Sequence, residues 1–338
     1  MTAPSIPPHA QMMQLVNGQL VSRALGLVAE LGVPDHLAAG PRSTADLASS
    51  TGADEDALHR VLRMLAGLGI FTVHPDRRVE NTALSDTLRS DTPGSVRGYA
   101  RWFGTSLHWQ AVGDLDHSVR TGESALLKHR SGQNVFEILA EDPVAQATFN
   151  DAMTGLSLTD AQAITTAYDF ARFRRIVDVG GGHGALAQGI AAVAAESQIT
   201  IYDLPHVIEG TRRRLAAAGG DRITARAGSF FDGVPGPVDL CVMKHIIHDW
   251  SDDQAAAILT NCRAALADDG RVVLCEMVVT GGPEGLPALV LDIEMLLGPG
   301  GRERTREEFE ALFATAGLRL DRTIPTRSPI HLLEATAV

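Results

Sequence analysis

The spacing of apolar residues changes along the chain, and the change divides it. From about Gln11 to Leu31 the apolar residues Met12, Met13, Leu15, Val16, Leu20, Ala24, Leu25, Leu27, Val28 and Leu31 predict one helix. It is apolar on so many sides that it has to be buried, with a second copy of the chain as one cover. Residues 1–8 read as a tail. Ser43-Thr44-Ala45-Asp46 and Thr51-Gly52-Ala53-Asp54-Glu55-Asp56 each set a capping residue and acids at the start of a helix. The second of these helices runs through Leu58, Val61, Leu62, Met64, Leu65 and Leu68 and stops at Gly69. Ile70–Val73, the turn His74-Pro75-Asp76 and Arg78–Glu80 then read as a hairpin. Helices followed by a hairpin are the pattern of a winged helix.

Residues 95–170 read as all-helical, with apolar runs at Tyr99–Trp109, Val112–Val119, Phe136–Ala140, Val144–Leu156 and Ile164–Tyr168. From Arg174 strand-like and helical runs alternate. Strands are expected at Ile176–Val179, Ile199–Tyr202, Ile223–Arg226, Leu240–Lys244 and Val272–Met277. Strands separated by helices predict an α/β domain with a doubly wound, mostly parallel sheet. The expected divisions are residues 1–95, 96–170 and 171–338.

Composition narrows the function classes. A chain of 338 residues with 45% hydrophobic and 21% charged residues is ordinary for a soluble enzyme of more than one domain. The net charge of −12 argues against a nucleic-acid binder. Asp54, Glu55 and Asp56 oppose Arg60 and Arg63 on the helix a winged module would lay in DNA, so a structural or dimerising role fits that module better. Cys241, Cys262 and Cys275 lack CxxC spacing, and Cys241 and Cys275 lie in apolar strand-like runs, so buried reduced thiols are expected. No basic start followed by an apolar core opens the chain, and no apolar run is long enough for a bilayer. A cytoplasmic protein with no membrane partner follows by default.

The chemistry gathers at the ends of the expected strands. Val177-Asp178-Val179-Gly180-Gly181-Gly182-His183-Gly184 sets a glycine turn between strand and helix, where an α/β sheet receives a nucleotide-like ligand. Two ligands fit the turn: a dinucleotide, through Gly-x-Gly-x-x-Ala ending at Ala185, or the nucleoside of S-adenosylmethionine. Asp203, at the next strand tip, is placed for ribose hydroxyls; its plainer role is to cap a helix over His206–Leu215. In Gly228-Ser229-Phe230-Phe231 an apolar side chain can cover an adenine face and a polar one can meet its amine. Lys244-His245-Ile246-Ile247-His248-Asp249-Trp250 puts titratable groups at the carboxyl edge of the fourth strand. His245 and His248 have no third ligand at a recognisable metal-site spacing, so a general base is the better reading for His248. Glu276 is the candidate to orient it and raise its basicity. Glu303, in Gly300-Gly301-Arg302-Glu303-Arg304-Thr305, is a candidate second flanking carboxylate. The plainer reading of both is a solvated surface acid, which fits Glu276 less well because it stands inside the apolar run Leu274-Cys275-Glu276-Met277.

Together these strings, with His108-Trp109, Thr121-Gly122 and Phe149-Asn150-Asp151-Ala152-Met153, resemble one family over about residues 11–335. It is the S-adenosylmethionine-dependent O-methyltransferases of the plant caffeic acid and flavonoid type, with their bacterial natural-product relatives. The resemblance implies a Rossmann-like class I methyltransferase domain preceded by an α-helical, winged-helix-like module that dimerises and does not bind DNA. It implies S-adenosylmethionine as cofactor, held at Asp178, Gly180, Gly182, Asp203, Ser229, Phe230 and Lys244, and no metal. It implies His248 as base, flanked by Glu276 and Glu303. A small hydroxylated aromatic or polyketide substrate would meet Trp102, His108, Phe149, Asn150, Met153, His245, Asp292 and Met295, with Met13, Phe103 and Trp109 beside them. Each of these is as readily plain core. The plant pattern has Asp where this chain has Ser229. Some bacterial relatives bind the cofactor yet hydroxylate or decarboxylate, which is the alternative activity. In the methylating reading His248 takes the proton of a substrate hydroxyl. With an unperturbed His near pKa ~6.5 and a phenol near ~10, full transfer is uphill by roughly 5 kcal/mol.

Overall fold

In the computed structural model residues 6–128, 130, 133, 135–218 and 221–338 are described. The chain separates into two units: Met1–Gln110 with Ile138–Leu156, and Ala111–Glu137 with Ser157–Val338.

In the first unit the opening apolar run is a helix over Pro8–Glu30. Only its carboxyl-terminal part is covered within the chain, with Ala24, Gly26, Val28 and Ala29 buried. Helices Thr44–Thr51 and Glu55–Ala66 start where the caps predict: Ser43 Oγ accepts from Asp46 N and Asp54 from Ala57 N. The hairpin is present and gains a strand, giving the order β1 (Arg42–Ser43), β3 (Arg78–Asn81), β2 (Phe71–Val73). Leu47, Leu58, Leu62, Leu65, Phe71 and Val79 close one core over these elements. The expected run Tyr99–Trp109 is two helices, Arg97–Phe103 and Ser106–Gly113. Thr105 divides them, its hydroxyl accepting from His108 N at 3.3 Å. The runs expected at Val144–Leu156 and Ile164–Tyr168 are one helix, Pro143–Ala167.

The second unit is built on a seven-stranded sheet. Its strands are β4 (Arg175–Val179), β5 (Gln198–Asp203), β6 (Ile223–Ala227), β7 (Val238–Lys244), β8 (Leu266–Met277), β9 (Leu318–Pro325) and β10 (Ile330–Ala337). The order is β6-β5-β4-β7-β8-β10-β9. β6 to β8 are parallel in that order, whereas β10 runs antiparallel between β8 and β9. Alternation of side chains puts Cys241, Met243, Val272 and Leu274 in a core on one face and Leu240, Val242, Val273 and Cys275 in a core on the other. The chain leaves β4 through β5 and β6 to one edge, then returns to β7 on the other side of β4. That reversal opens a crevice at the carboxyl ends of β4 and β7. All three cysteines are free and buried. No described helix is long and apolar enough to cross a membrane.

Candidate active site

The glycine turn lies at the crevice. Gly180, Gly182 and Gly184 have φ of +69°, +55° and +82°. At Gly180 a Cβ would also stand 2.4 Å from Ile246 Cδ1, so neither the backbone nor the neighbour leaves room for another residue. The helix Ala185–Val193 follows, its amino end directed into the crevice's rim. Asp178, 2% exposed at the end of β4, has an Oδ2 with no hydrogen-bond partner. Burial pushes its carboxyl up to about 7, opposed by Lys244 at the end of β7 and reinforced by Asp203. Asp203 accepts from Gly182 N at 2.8 Å and Leu204 N at 2.7 Å, which ties the tip of β5 to the glycine turn. Burial nonetheless raises its pKa against those bonds. Beyond β6, Tyr202 Oη reaches Ser229 O at 3.0 Å and Gly233 O at 2.8 Å and holds the Ser229–Gly233 turn from below. Ser229 Oγ accepts from Phe231 N, and Phe230 packs edge-on to Trp250 at 5.8 Å. Phe231, not Phe230, is the more exposed of the pair.

Past Lys244 the chain leaves β7 through His245, whose φ of 53° is left-handed and strained for a residue with a side chain. His248 follows on a short 3₁₀ turn and is 5% exposed. Its Nδ1 lies 2.6 Å from Glu303 Oε1. Glu276 stands one step further away. Its Oε1 accepts from Ile246 N and Ile247 N at 3.1 and 2.9 Å, while its Oε2 lies 3.8 Å from His248 Nδ1 and 3.7 Å from His245 Nδ1. Glu303 is thus the direct partner of His248, and Glu276 holds the turn that carries it. Both acids are fully buried, which excludes the reading of either as a solvated surface carboxylate. The His245 ring stacks on that of His248, centroids 4.9 Å apart, with Asp160 Oδ2 3.8 Å from its Nε2. Asp292 accepts from Glu303 N at 2.8 Å, and Met295 O from Gly300 N.

Charge decides what this cluster does. Burial alone lowers the pKa of His248, but Glu276, Asp249 and Glu303 outweigh it and raise it to about 9. Burial works against the Glu276 carboxylate too, and His248, His245 and the Ile247 N–H overcome it and hold it below its usual range. Asp249, 3.7 Å from His248 Nε2, is pushed up to about 6 by burial against the pull of His248. His245, His248 and Glu276 bring ligand atoms within 4.8 Å of one another, a third partner that spacing alone did not reveal. The donors suit a metal poorly. The imidazole planes are 26° apart, so their in-plane lone pairs run side by side, and His248 Nδ1 is already engaged by Glu303. A histidine held between carboxylates is suited to moving a proton.

The remaining expected contacts lie in the first unit. Trp102 and Phe149 pack edge-on at 5.0 Å, and His108 stands beside Trp102 and Phe103. Asn150 and Met153 are half-buried on the same helix as Phe149, Trp109 Nε1 is buried without a partner, and Met13 is exposed. Asp160 and Arg304 are site neighbours that the residue pattern did not single out, and Asp249 stood in it only as one of the titratable groups at the end of the fourth strand.

Residues 112–319 match the O-methyltransferase domain family, and residues 13–91 the O-methyltransferase dimerisation domain family. The chain belongs to the O-methyltransferase family. This O-methyltransferase is 37% identical to the phenazine O-methyltransferase PhzM of Lysobacter antibioticus, over 99% of the chain and 98% of that protein. A solved structure of the O-methyltransferase NcsB1 from neocarzinostatin biosynthesis, in complex with S-adenosylmethionine and 2-hydroxy-5-methyl naphthoic acid, superposes with a TM-score of 0.81. It is 33% identical and covers 94% of this chain and 96% of that one. The aclacinomycin 10-hydroxylase RdmB of Streptomyces purpurascens is also similar, at 33% identity over 95% of this chain and 89% of that protein. The enzyme's class I fold and its cofactor, S-adenosylmethionine, follow from this membership. The crevice fits that cofactor: Asp178 keeps one buried carboxylate oxygen without a hydrogen-bond partner, and the glycine turn admits a backbone-close ligand.

Proposed function

We propose that this O-methyltransferase methylates a hydroxyl of a small aromatic natural-product intermediate, with His248 as general base. The observation that carries the reading is the His248 Nδ1–Glu303 Oε1 bond of 2.6 Å in a buried site. Glu303 holds Nδ1 protonated and leaves Nε2 as the basic atom. Asp178, Gly180, Gly182, Asp203, Ser229, Phe230 and Lys244 would hold S-adenosylmethionine, which supplies a sulfonium methyl group when bound. Asp203 would meet the ribose and the Ser229–Phe230 turn the adenine. The acceptor hydroxyl would donate to His248 Nε2, with His245 and Met295 beside it. Trp102, His108, Phe149, Asn150 and Met153 would be the aromatic and polar contacts of a flat acceptor. PhzM and NcsB1, which act in phenazine and neocarzinostatin biosynthesis, support that substrate class.

The raised basicity changes the energetics. Against a phenol of pKa ~10, a base near 9 leaves about 1.4 kcal/mol for proton transfer in place of the roughly 5 kcal/mol of an unperturbed histidine. The cost moves to the resting enzyme, where His248 carries a proton at neutral pH and must lose it before acting. Positioning of acceptor and cofactor supplies further acceleration. We further infer a homodimer formed through the N-terminal domain, and a protein without nucleic-acid or membrane partners that works in the cytoplasm.

The test is methyl transfer from S-adenosylmethionine to a panel of hydroxylated phenazines and naphthoates, read by mass spectrometry. One S-adenosylhomocysteine per methylated product is expected. Product gaining oxygen or losing carbon dioxide, with S-adenosylmethionine intact, would instead place this enzyme with chemistry like that named for RdmB.

A further inference from the structure

The turn that carries His248 and the turn that carries Glu303 are far apart in sequence, yet their backbones touch. Arg302 N donates to His248 O at 2.8 Å. A Cβ on Gly301 would stand 2.0 Å from His248 O and 2.5 Å from Asp249 C, so only glycine allows the approach. Between them lies Arg304, 1% exposed. Its NH1 donates to Ile247 O at 3.1 Å and Arg302 O at 3.3 Å, and its NH2 to Trp250 O at 2.8 Å. Nε and NH2 both reach Asp252 Oδ1, at 2.9 and 2.8 Å. The guanidinium therefore grips the backbone on both sides of His248 and the residue before Glu303. Beyond it, Val279 N donates to Arg304 O at 2.9 Å and fixes the same turn to the end of β8, next to Glu276.

Packing alone is a poor reason for this residue. Burying a cation is costly, and an apolar side chain of similar volume often serves stability as well or better. Among the described residues the only carboxylate paired with Arg304 is Asp252, whose side chain is 64% exposed and so screened by water. What the guanidinium uniquely provides is a planar fork of donors matched to three carbonyls and one carboxylate. We propose that Arg304 is a positioning residue for methyl transfer, a buried clamp that fixes the His248 turn against the Glu303 turn and so sets the Nδ1–Oε1 bond. The proposal rests on His248 being the base. The charged and titratable groups facing His248 are Asp249 and the stacked His245 from its own turn, Glu276 from β8 and Glu303 from the clamped turn, with Asp160 on the far side of His245.

The test needs no acceptor. Imidazole ¹⁵N shifts of His248, assigned with His248→Gln, are titrated in the full-length protein with S-adenosylhomocysteine bound. Parallel samples carry Arg304→Met and Arg304→Lys. The expected result is a fall of about one unit or more in the His248 pKa in Arg304→Met as Glu303 separates, with partial retention in Arg304→Lys. S-adenosylhomocysteine affinity should change less than about twofold, since the groups expected to bind it lie at the ends of β4, β5 and β6 apart from Lys244, and none of the Arg304 hydrogen bonds goes to any of them. With a methylatable acceptor, kcat should fall about 100-fold with little change in KM for the cofactor. A His248 titration unchanged in a folded, cofactor-binding variant would overturn the proposal and leave Arg304 a fold stabiliser only. Should Arg304→Met not fold, the same criterion applied to Arg304→Lys decides. Because the titration is independent of turnover, a protein that transfers no methyl group would contradict the proposed reaction without touching the clamp.

Discussion

At the residue scale the enzyme's behaviour turns on two groups held away from their ordinary pKa values. His248 is raised to about 9 because three carboxylates overcome its burial, and in the proposed reaction its neutral form is the base. The profile of kcat/KM should therefore climb with unit slope from neutral pH and level off near 9. Glu303→Gln removes one of the groups that raise His248, so the midpoint should move to lower pH while the plateau rate falls. An unmoved midpoint in a steady-state pH series would show that Glu303 does not act on the base. Asp178 is raised to about 7 chiefly by burial. Its carboxylate is the form that suits a cationic cofactor, so affinity for S-adenosylmethionine should strengthen as pH rises through 7 and flatten above it. Calorimetry with Asp178→Asn should show weaker binding and no such rise. The residue types of this site were legible in the sequence, because acids and histidines inside apolar strand ends have few other uses. Their ranking was not. Glu276, inside the end of β8, is the residue the sequence offers to orient His248, yet Glu303 makes the bond, and only tertiary approach of the turns near residues 248 and 301 could show that. Asp160 and Arg304 were hidden for the same reason.

At the element scale, apolar runs between helical ones mark the parallel strands β4, β5, β7 and β8, whose middle residues are largely buried, while the edge strand β6 is short and mostly exposed. β9 and β10 escaped. Leu318-Arg319-Leu320-Asp321-Arg322 alternates apolar with charged residues, as an edge strand open to water does, and so lacks the buried signature. The long helix Pro143–Ala167 was read as two because Gly155, Ser157 and Thr159 weaken its middle, and tertiary packing carries it through. Among the loops, the Ser229–Gly233 turn depends on a hydroxyl outside itself. Tyr202→Phe removes a donor from two carbonyls and should cost about 1 kcal/mol in the order of that turn. Affinity for S-adenosylhomocysteine should then weaken about fivefold by calorimetry. If it does not, Tyr202 supports the fold and not the adenine site.

At the scale of the whole molecule, the first helix carries a face that one chain does not cover. Met12, Met13, Leu15, Val16 and Leu20 are 58–74% exposed within one chain. In the homodimer proposed above, this row of large apolar side chains would be covered by the second copy. Leu15→Glu with Val16→Glu should turn a dimer into a monomer in sedimentation equilibrium, whereas a wild-type monomer at micromolar concentration would sink the homodimer. The helix and its apolar character were plain from the sequence. Which part of it the chain itself would bury was not, since that depends on where the helix Arg97–Phe103 packs against it. The proposed reaction turns on one proton and one buried histidine. The most direct test is the single-turnover rate of methyl transfer in the wild type and in His248→Ala, both saturated with S-adenosylmethionine and a methylatable acceptor. The prediction is a loss of about 100- to 10,000-fold with cofactor affinity unchanged. A variant that transfers methyl within a few fold of the wild-type rate while still binding the acceptor would contradict His248 as the base.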